Sequence, residues 1–199
     1  MASGAPRDIA IRVATPDDAG AIERVRVAGW RAAYPGLVPQ AYLDAMRLDS
    51  RGVAARRQQM NRNPPDVRSL VSLATGGADA VVGFVVYGPD REGDHVSTGA
   101  GYRTGRAGEV YALYVDPGAW SRGHGRALLD RAAYGLAGDG YARAGLWVLE
   151  GNARARSFYE RFGMSATGER QMYEVSGVRV PEVRYEMSLR REGSDRGGG

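Results

Sequence analysis

Cysteine and lysine are both missing from this 199-residue chain, and histidine occurs only twice. Without cysteine there are no disulfides, no thiolate metal ligands and no thiol nucleophile. His95 and His124 alone give a polyhistidine metal centre or a Ser-His-Asp triad little to draw on, so no metal is expected. No apolar run approaches the roughly 20 residues of a membrane-spanning helix, and Met1 to Arg7 lack the core of a signal peptide. These absences point to a cytoplasmic protein with no membrane partner. All 27 basic residues are arginine, set against 23 acidic residues for a formal charge of +4. Arginine binds phosphate in bidentate fashion at any relevant pH, which suits a phosphate-bearing partner. A GC-rich genome is the plainer source of the bias. Acidic residues interleave with the arginines throughout, so no stripe for nucleic acid is present.

What remains is an ordinary globular composition, 43% hydrophobic and 25% charged. A single domain is expected over residues 8–189, with flexible, polar, glycine-rich ends at 1–7 and 190–199. Ile9 to Val13 alternates as a strand. Thr15-Pro16-Asp17-Asp18 then carries a capping residue, a proline for the first helical position and an acid to close a capping box. A helix follows over Pro16 to Ala32, with Ile22, Val25 and Gly29 on one side, and ends at Tyr34-Pro35-Gly36. A second begins near Pro39 and runs, with a break, toward Met60. Strands are expected at Ser69 to Ala74 and Ala80 to Tyr87, the latter apolar on both faces as a central strand is. After a long loop, Gly88 to Gly108, come a strand at Glu109 to Val115 and a helix at Gly125 to Ala137. A strand at Ala144 to Leu149, a helix at Ala153 to Phe162 and closing strands at Ser165 to Glu174 and Arg179 to Leu189 complete the chain. Hairpins mixed with crossover helices predict an α/β domain with a mixed, mainly antiparallel sheet.

The most informative stretch runs from Val115 to Leu129. A strand passes through a short loop with Gly123 and Gly125 two apart, then directly into an amphipathic helix. Glycines let backbone N–H groups converge, and a helix start adds partial positive charge, so the segment is either an anion cradle or an ordinary tight turn. Arg122 and Arg126 stand ready as counter-charges. Two other phosphate motifs fail on spacing. The Walker pattern needs a lysine, and the dinucleotide fingerprint needs a third glycine where Leu128 stands.

Leu113-x-Val115-x-Pro117 followed by Arg122-Gly123-His124-Gly125-Arg126-Ala127-Leu128-Leu129 resembles the acetyl-CoA signature of the GNAT superfamily of N-acetyltransferases, Gln/Arg-x-x-Gly-x-Gly/Ala. Trp120 stands at the Gln/Arg position and departs from it. A second block, Asn152 to Met164, resembles the family's Asn-x-x-Ala-x-x-Phe-Tyr-x-x-x-Gly-Phe and differs only at Met164. Ile11-Arg12-x-Ala14-x-x-Asp17-Asp18 is similar to the family's opening. The resemblance implies six to seven strands flanked by about four helices, with the fourth and fifth strands splayed. It implies that pantetheine adds to the free edge at Leu113, Tyr114 and Val115, with pyrophosphate on the backbone of Arg122, Gly123, His124, Gly125, Arg126 and Ala127. Asn152, beside Ala155, either bonds pantetheine or caps the following helix, and the two roles are compatible.

The reaction implied is direct attack of a primary amine of a small molecule or peptide on the thioester of acetyl-CoA. A backbone N–H near Leu113 is the expected oxyanion donor. Tyr159 matches the tyrosine that serves the departing thiolate, or else packs as core beside Phe158. Glu109 matches a general base in part of the family, or else is a strand-end surface carboxylate. It lies about 13 Å along the strand from Leu113, so a proton would have to pass through water. Trp30, Tyr34 and Tyr42 either wall an acceptor pocket or pack a helix to its loop, and Tyr111 and Tyr173 are candidates for the same channel. His95 reads as a solvated loop residue, and His124 as a turn residue that meets phosphate by its backbone. A non-catalytic acyl-CoA sensor is the alternative reading, and a homodimer is possible through the last strands.

Overall fold

Thr15-Pro16-Asp17-Asp18 sets the first change of direction. In the computed structural model, which describes residues 9–74, 80–91 and 106–189, strand β1 (Ile11–Val13) passes through a short turn into helix α1 (Ala19–Ala33). The Asp18 carboxylate accepts from the Thr15 backbone N–H at 2.8 Å and from the Arg12 guanidinium at 2.7 Å. That pairing holds the carboxyl below the usual carboxylate range. Helix α1 buries Ile22, Val25 and Gly29, as its periodicity predicts. Val13, by contrast, is 67% exposed, because β1 is too short and too near the sheet edge to cover it.

The long second helix is in fact two, α2 (Gln40–Ala45) and α3 (Ser50–Arg62). Asp49 starts α3 by accepting from the Gly52 N–H at 2.7 Å, which fixes the break. Strands β2 (Arg68–Leu73), β3 (Val81–Pro89) and β4 (Ala107–Val115) follow, then helix α4 (His124–Gly138), strand β5 (Arg143–Leu149), helix α5 (Ala153–Phe162), and strands β6 (Ser165–Val175) and β7 (Val178–Ser188). Five α-helices are thus present among the described residues, one more than expected. The segment read as a loop from Gly88 to Gly108 is shorter than that, since β3 continues to Pro89 and β4 begins at Ala107. His95 and both chain ends lie outside the described residues.

Seven strands form one sheet in the order β1-β2-β3-β4-β5-β7-β6, antiparallel everywhere except between β4 and β5. One face packs on α4 and α5 through Leu128, Leu136, Leu146 and Tyr185. The other carries α1 and α2, where Val27, Trp30 and Leu43 meet Leu149 and Val180. This second face also holds buried charge. Arg184 pairs with Asp90 and Glu186, and Arg143 bonds to Glu186 at 3.2 Å. Arginines so deeply buried are tolerable only beside carboxylates. Among the described residues no helix is long and apolar enough to cross a membrane.

Candidate active site

Strands β4 and β5 pair only at Ala107, Glu109 and the residue between them, opposite Arg143, Ala144 and Gly145. Beyond Glu109 they part, and a cavity of about 940 Å3 occupies the opening. A bulge contributes to the divergence: Val86 faces Ala112 while Tyr87 faces Val110, leaving Tyr111 as the extra residue on β4. The Asp116 N–H donates to the Val82 carbonyl at 2.7 Å. By strand alternation Tyr114 also turns its backbone groups to β3, and those of Leu113 and Val115 turn to the gap. The free edge of β4 therefore lines the cavity, along its Leu113-Tyr114-Val115 segment.

At the far end of that edge the chain enters α4. Gly123 is the residue before the helix, and its φ of +95° is one that side chains resist. A Cβ placed on Gly125 would lie 3.5 Å from the Phe158 ring and 3.7 Å from Val115, within the cavity wall. The first-turn amides of α4 stand beside this space, together with Arg126. Three expected residues sit differently. Arg122, His124 and Ala127 do not line the cavity. The Ala127 N–H is spent on the Gly123 carbonyl at 3.0 Å, so it is closed to an anion. His124 is the first residue of α4 rather than part of the turn before it; it is only 3% exposed, and Nδ1 has no partner among the described residues. Burial first, then the charge of Arg122, holds that imidazole below its ordinary pKa.

Helix α5 forms the cavity's second wall. Asn152 is its cap, Oδ1 accepting from the Ala155 N–H at 3.1 Å, and both residues line the cavity. Tyr159 packs its ring against Phe158 at 5.3 Å and Tyr185 at 6.3 Å, so it belongs to the core and the cavity together. Its hydroxyl has no hydrogen-bond partner among the described residues, and burial pushes the phenol above its ordinary pKa.

On the opposite sheet face the aromatic group of α1 closes the cavity. Trp30 Nε1 donates to the Tyr114 hydroxyl at 2.9 Å, and Tyr34 stands edge-on to the indole at 4.8 Å. Both are packing residues and cavity walls. Tyr111 donates to the Pro89 carbonyl at 2.5 Å and lies under the Arg91 guanidinium. Glu109 is not the surface carboxylate that its strand-end position suggested. It is 1% exposed, and both its oxygens accept from Arg91. The register that closes β4 onto β5 buries it.

Arg91, Arg154, Gln171 and Glu182 also line the cavity, and none stands at a defined position of either motif. Glu182 was legible in principle, because Val183 and Tyr185 are apolar and alternation sends Glu182, Arg184 and Glu186 to the other face. Among the described residues no cluster of three or more potential metal ligands occurs.

Residues 30–164 match the Acetyltransferase (GNAT) family. The uncharacterized N-acetyltransferase YuaI of Bacillus subtilis is 29% identical over 175 residues, spanning 88% of this chain and 90% of that protein. PaiA N-acetyltransferase of Thermoplasma acidophilum, solved in complex with coenzyme A, superposes with a TM-score of 0.62 at 18% identity, covering 92% of this chain and 99% of that one. Ribosomal-protein-alanine N-acetyltransferase of Brucella melitensis gives 0.65 at 22% identity, over 90% and 99% of the two chains. With a family match over more than half its length, and a sheet that parts between β4 and β5, the chain belongs to the GNAT family of acetyltransferases.

Proposed function

We propose that the chain transfers the acetyl group of acetyl-CoA to a primary amine of a small molecule or peptide by direct attack. One observation carries this reading: an unpaired strand edge and a glycine-bounded helix start open onto one cavity. An extended amide chain adds to such an edge as a further strand, and a pyrophosphate suits the unspent amides of Gly125 and Arg126 with the Arg126 charge beside them. The residues present fit coenzyme A on that count, since Gly125 leaves the approach free of a side chain.

The thioester then lies at the Leu113 level of β4, where a backbone N–H turned to the gap donates to the developing oxyanion. Tyr159 stands on the α5 wall as a neutral phenol, able to donate to the departing sulfur. Trp30, Tyr34 and Tyr111 form the acceptor side, where aromatic faces favour a cationic amine. Glu109 keeps Arg91 in place there. A cytoplasmic location fits use of acetyl-CoA.

The test is release of free thiol from acetyl-CoA by the full chain, with polyamines, aminoglycosides, amino acids and peptides as acceptors. Amine-dependent release supports the reading. CoA binding without release for any amine would favour a sensor instead.

A further inference from the structure

We propose that Glu182, not Glu109, takes the proton from the acceptor's ammonium group, which makes the preferred acceptor an alkyl amine that is protonated in solution. This rests on the N-acetyltransferase reading above and assigns a residue that no motif marks.

The two carboxylates face the same cavity and differ in their partners. Both oxygens of Glu109 are engaged by Arg91, from its backbone N–H and its guanidinium. A carboxylate so occupied has few lone pairs left for an incoming proton. Glu182 sits on β7 directly opposite Gln171 of β6, and Gln171 Nε2 donates to Oε2 at 2.8 Å. That neutral amide fixes the carboxylate without cancelling its charge. Among the described residues Oε1 has no partner and no arginine forms an ion pair with Glu182.

The neighbouring charges are Arg91, which follows β3, and Glu109 on β4, with the phenols of Tyr34, just after α1, and Tyr173 on β6 also close. Burial outweighs both the Gln171 hydrogen bond and the charge of Arg91 and, helped by Glu109, moves the Glu182 carboxyl up, the direction that favours a base. Arg184, the next residue on that face, is committed to Asp90 and Glu186. Tyr34 and Tyr173 thus line the same cavity as a half-buried negative charge, a setting that favours an ammonium group.

In the step assigned, an ammonium N–H bond breaks with its electron pair left on nitrogen and its proton moved to Glu182. That pair forms the C–N bond to the thioester carbonyl carbon, and the C–S bond breaks onto sulfur. The second N–H proton leaves as the adduct collapses, balancing the proton the thiolate takes up. Glu182 then releases its proton to water. An arylamine, already neutral, gains nothing from this residue.

The experiment compares the full wild-type chain with Glu182→Gln and Glu182→Asp, using the alkyl amine from a panel of spermidine, an aminoglycoside and alanine-initiated peptides that gives the fastest thiol release. Log kcat/KM for that amine is followed from about pH 6 to about pH 9, and Kd for CoA is measured for each protein. Wild type should reach a plateau once Glu182 is ionised. Glu182→Gln should lose at least roughly tenfold near pH 7 and rise with a slope of one toward the amine's own pKa, because only free amine reacts. Glu182→Asp should keep the plateau at reduced height, and this variant serves alone if the glutamine variant does not fold. CoA affinity should stay within about twofold of wild type, since the residue lies away from the cradle. Wild-type kcat/KM in Glu182→Gln overturns the inference, and so does a loss that leaves the profile's shape unchanged. A wild-type chain that neither binds CoA nor releases thiol overturns the underlying reading as well.

Discussion

The indole of Trp120 donates from Nε1 to the carbonyl of Val115 at 2.8 Å, and so occupies the last acceptor on the open edge of β4. Arg154, from the first turn of α5, lays its guanidinium 3.5 Å over the same indole. The Gln/Arg position of the acetyl-CoA signature that this segment resembles thus holds an aromatic platform with a cation on it. Arg154 is exposed and lines the cavity, so it is placed to meet a phosphate. Arg154→Ala is expected to raise KM for acetyl-CoA about tenfold, the loss of about 1.4 kcal/mol of charge-assisted binding, with kcat little changed. Steady-state kinetics in low and high salt check this, and the effect should shrink as salt screens the charge.

Gly125 divides space needed by a ligand from space needed by the fold. A single Cβ there makes only ordinary contacts with Phe158 and Val115, so Gly125→Ala should fold normally. The γ-carbons of valine would project further into the cavity. Gly125→Val is therefore expected to keep its apo melting temperature and to lose the rise caused by CoA. For wild type at 100-fold excess over Kd, that rise corresponds to about 2.7 kcal/mol. A thermal titration of both proteins decides it; an equal rise in the two would put the cradle elsewhere.

How far the sequence reaches depends on whether a residue's role is local. Helix α5 and the amphipathic face of α1 were legible because capping and 3.6-residue periodicity are written in neighbouring residues. So was the glycine-marked entry into α4 at Gly123 and Gly125, whose spacing belongs to one turn. The burial of Glu109 and His124 was not legible, because it is set by distant partners, Gly145 across the sheet for one and the packing around α4 for the other. Glu182 is marked only by the alternation of its strand, and Arg154 stands at an unspecified position of the second block. They become cavity residues only when β7 lies beside β5 and α5 covers Trp120.

His124 gives the fold a pH dependence of known sign. Its imidazole is held below the ordinary value by burial and by Arg122, while the unfolded chain protonates near about pH 6.5. Above that pH both states are neutral and the stability is fully present. As pH falls the unfolded state gains a proton that the folded state refuses, so stability is lost toward the lower folded pKa. His124→Leu should remove this limb, flattening the decline below about pH 6.5 by at most about 1.4 kcal/mol per pH unit. It also deletes a buried nitrogen that has no partner among the described residues. Urea unfolding of both proteins across that range reads the difference. Parallel declines would show that carboxylates alone govern it.

Tyr159 separates catalysis from packing most sharply, because its ring and its hydroxyl do different things. The ring contacts Phe158 and Tyr185 in the core, and phenylalanine fills the same volume. The hydroxyl bonds to nothing among the described residues, so its removal leaves no partner stranded, and the residue lines the cavity. Burial raises the phenol's pKa, which keeps its proton in place well above neutral pH and makes it a donor rather than a base. If that proton serves the departing thiolate, Tyr159→Phe removes an interaction used mainly in the transition state. The expected result is a fall in kcat of at least roughly tenfold, with KM for acetyl-CoA and the melting temperature nearly unchanged. Kinetics of both proteins with the best amine, under conditions where chemistry limits the rate, provide the measurement. A kcat near wild type would leave Tyr159 a core residue and assign the thiolate's proton to water.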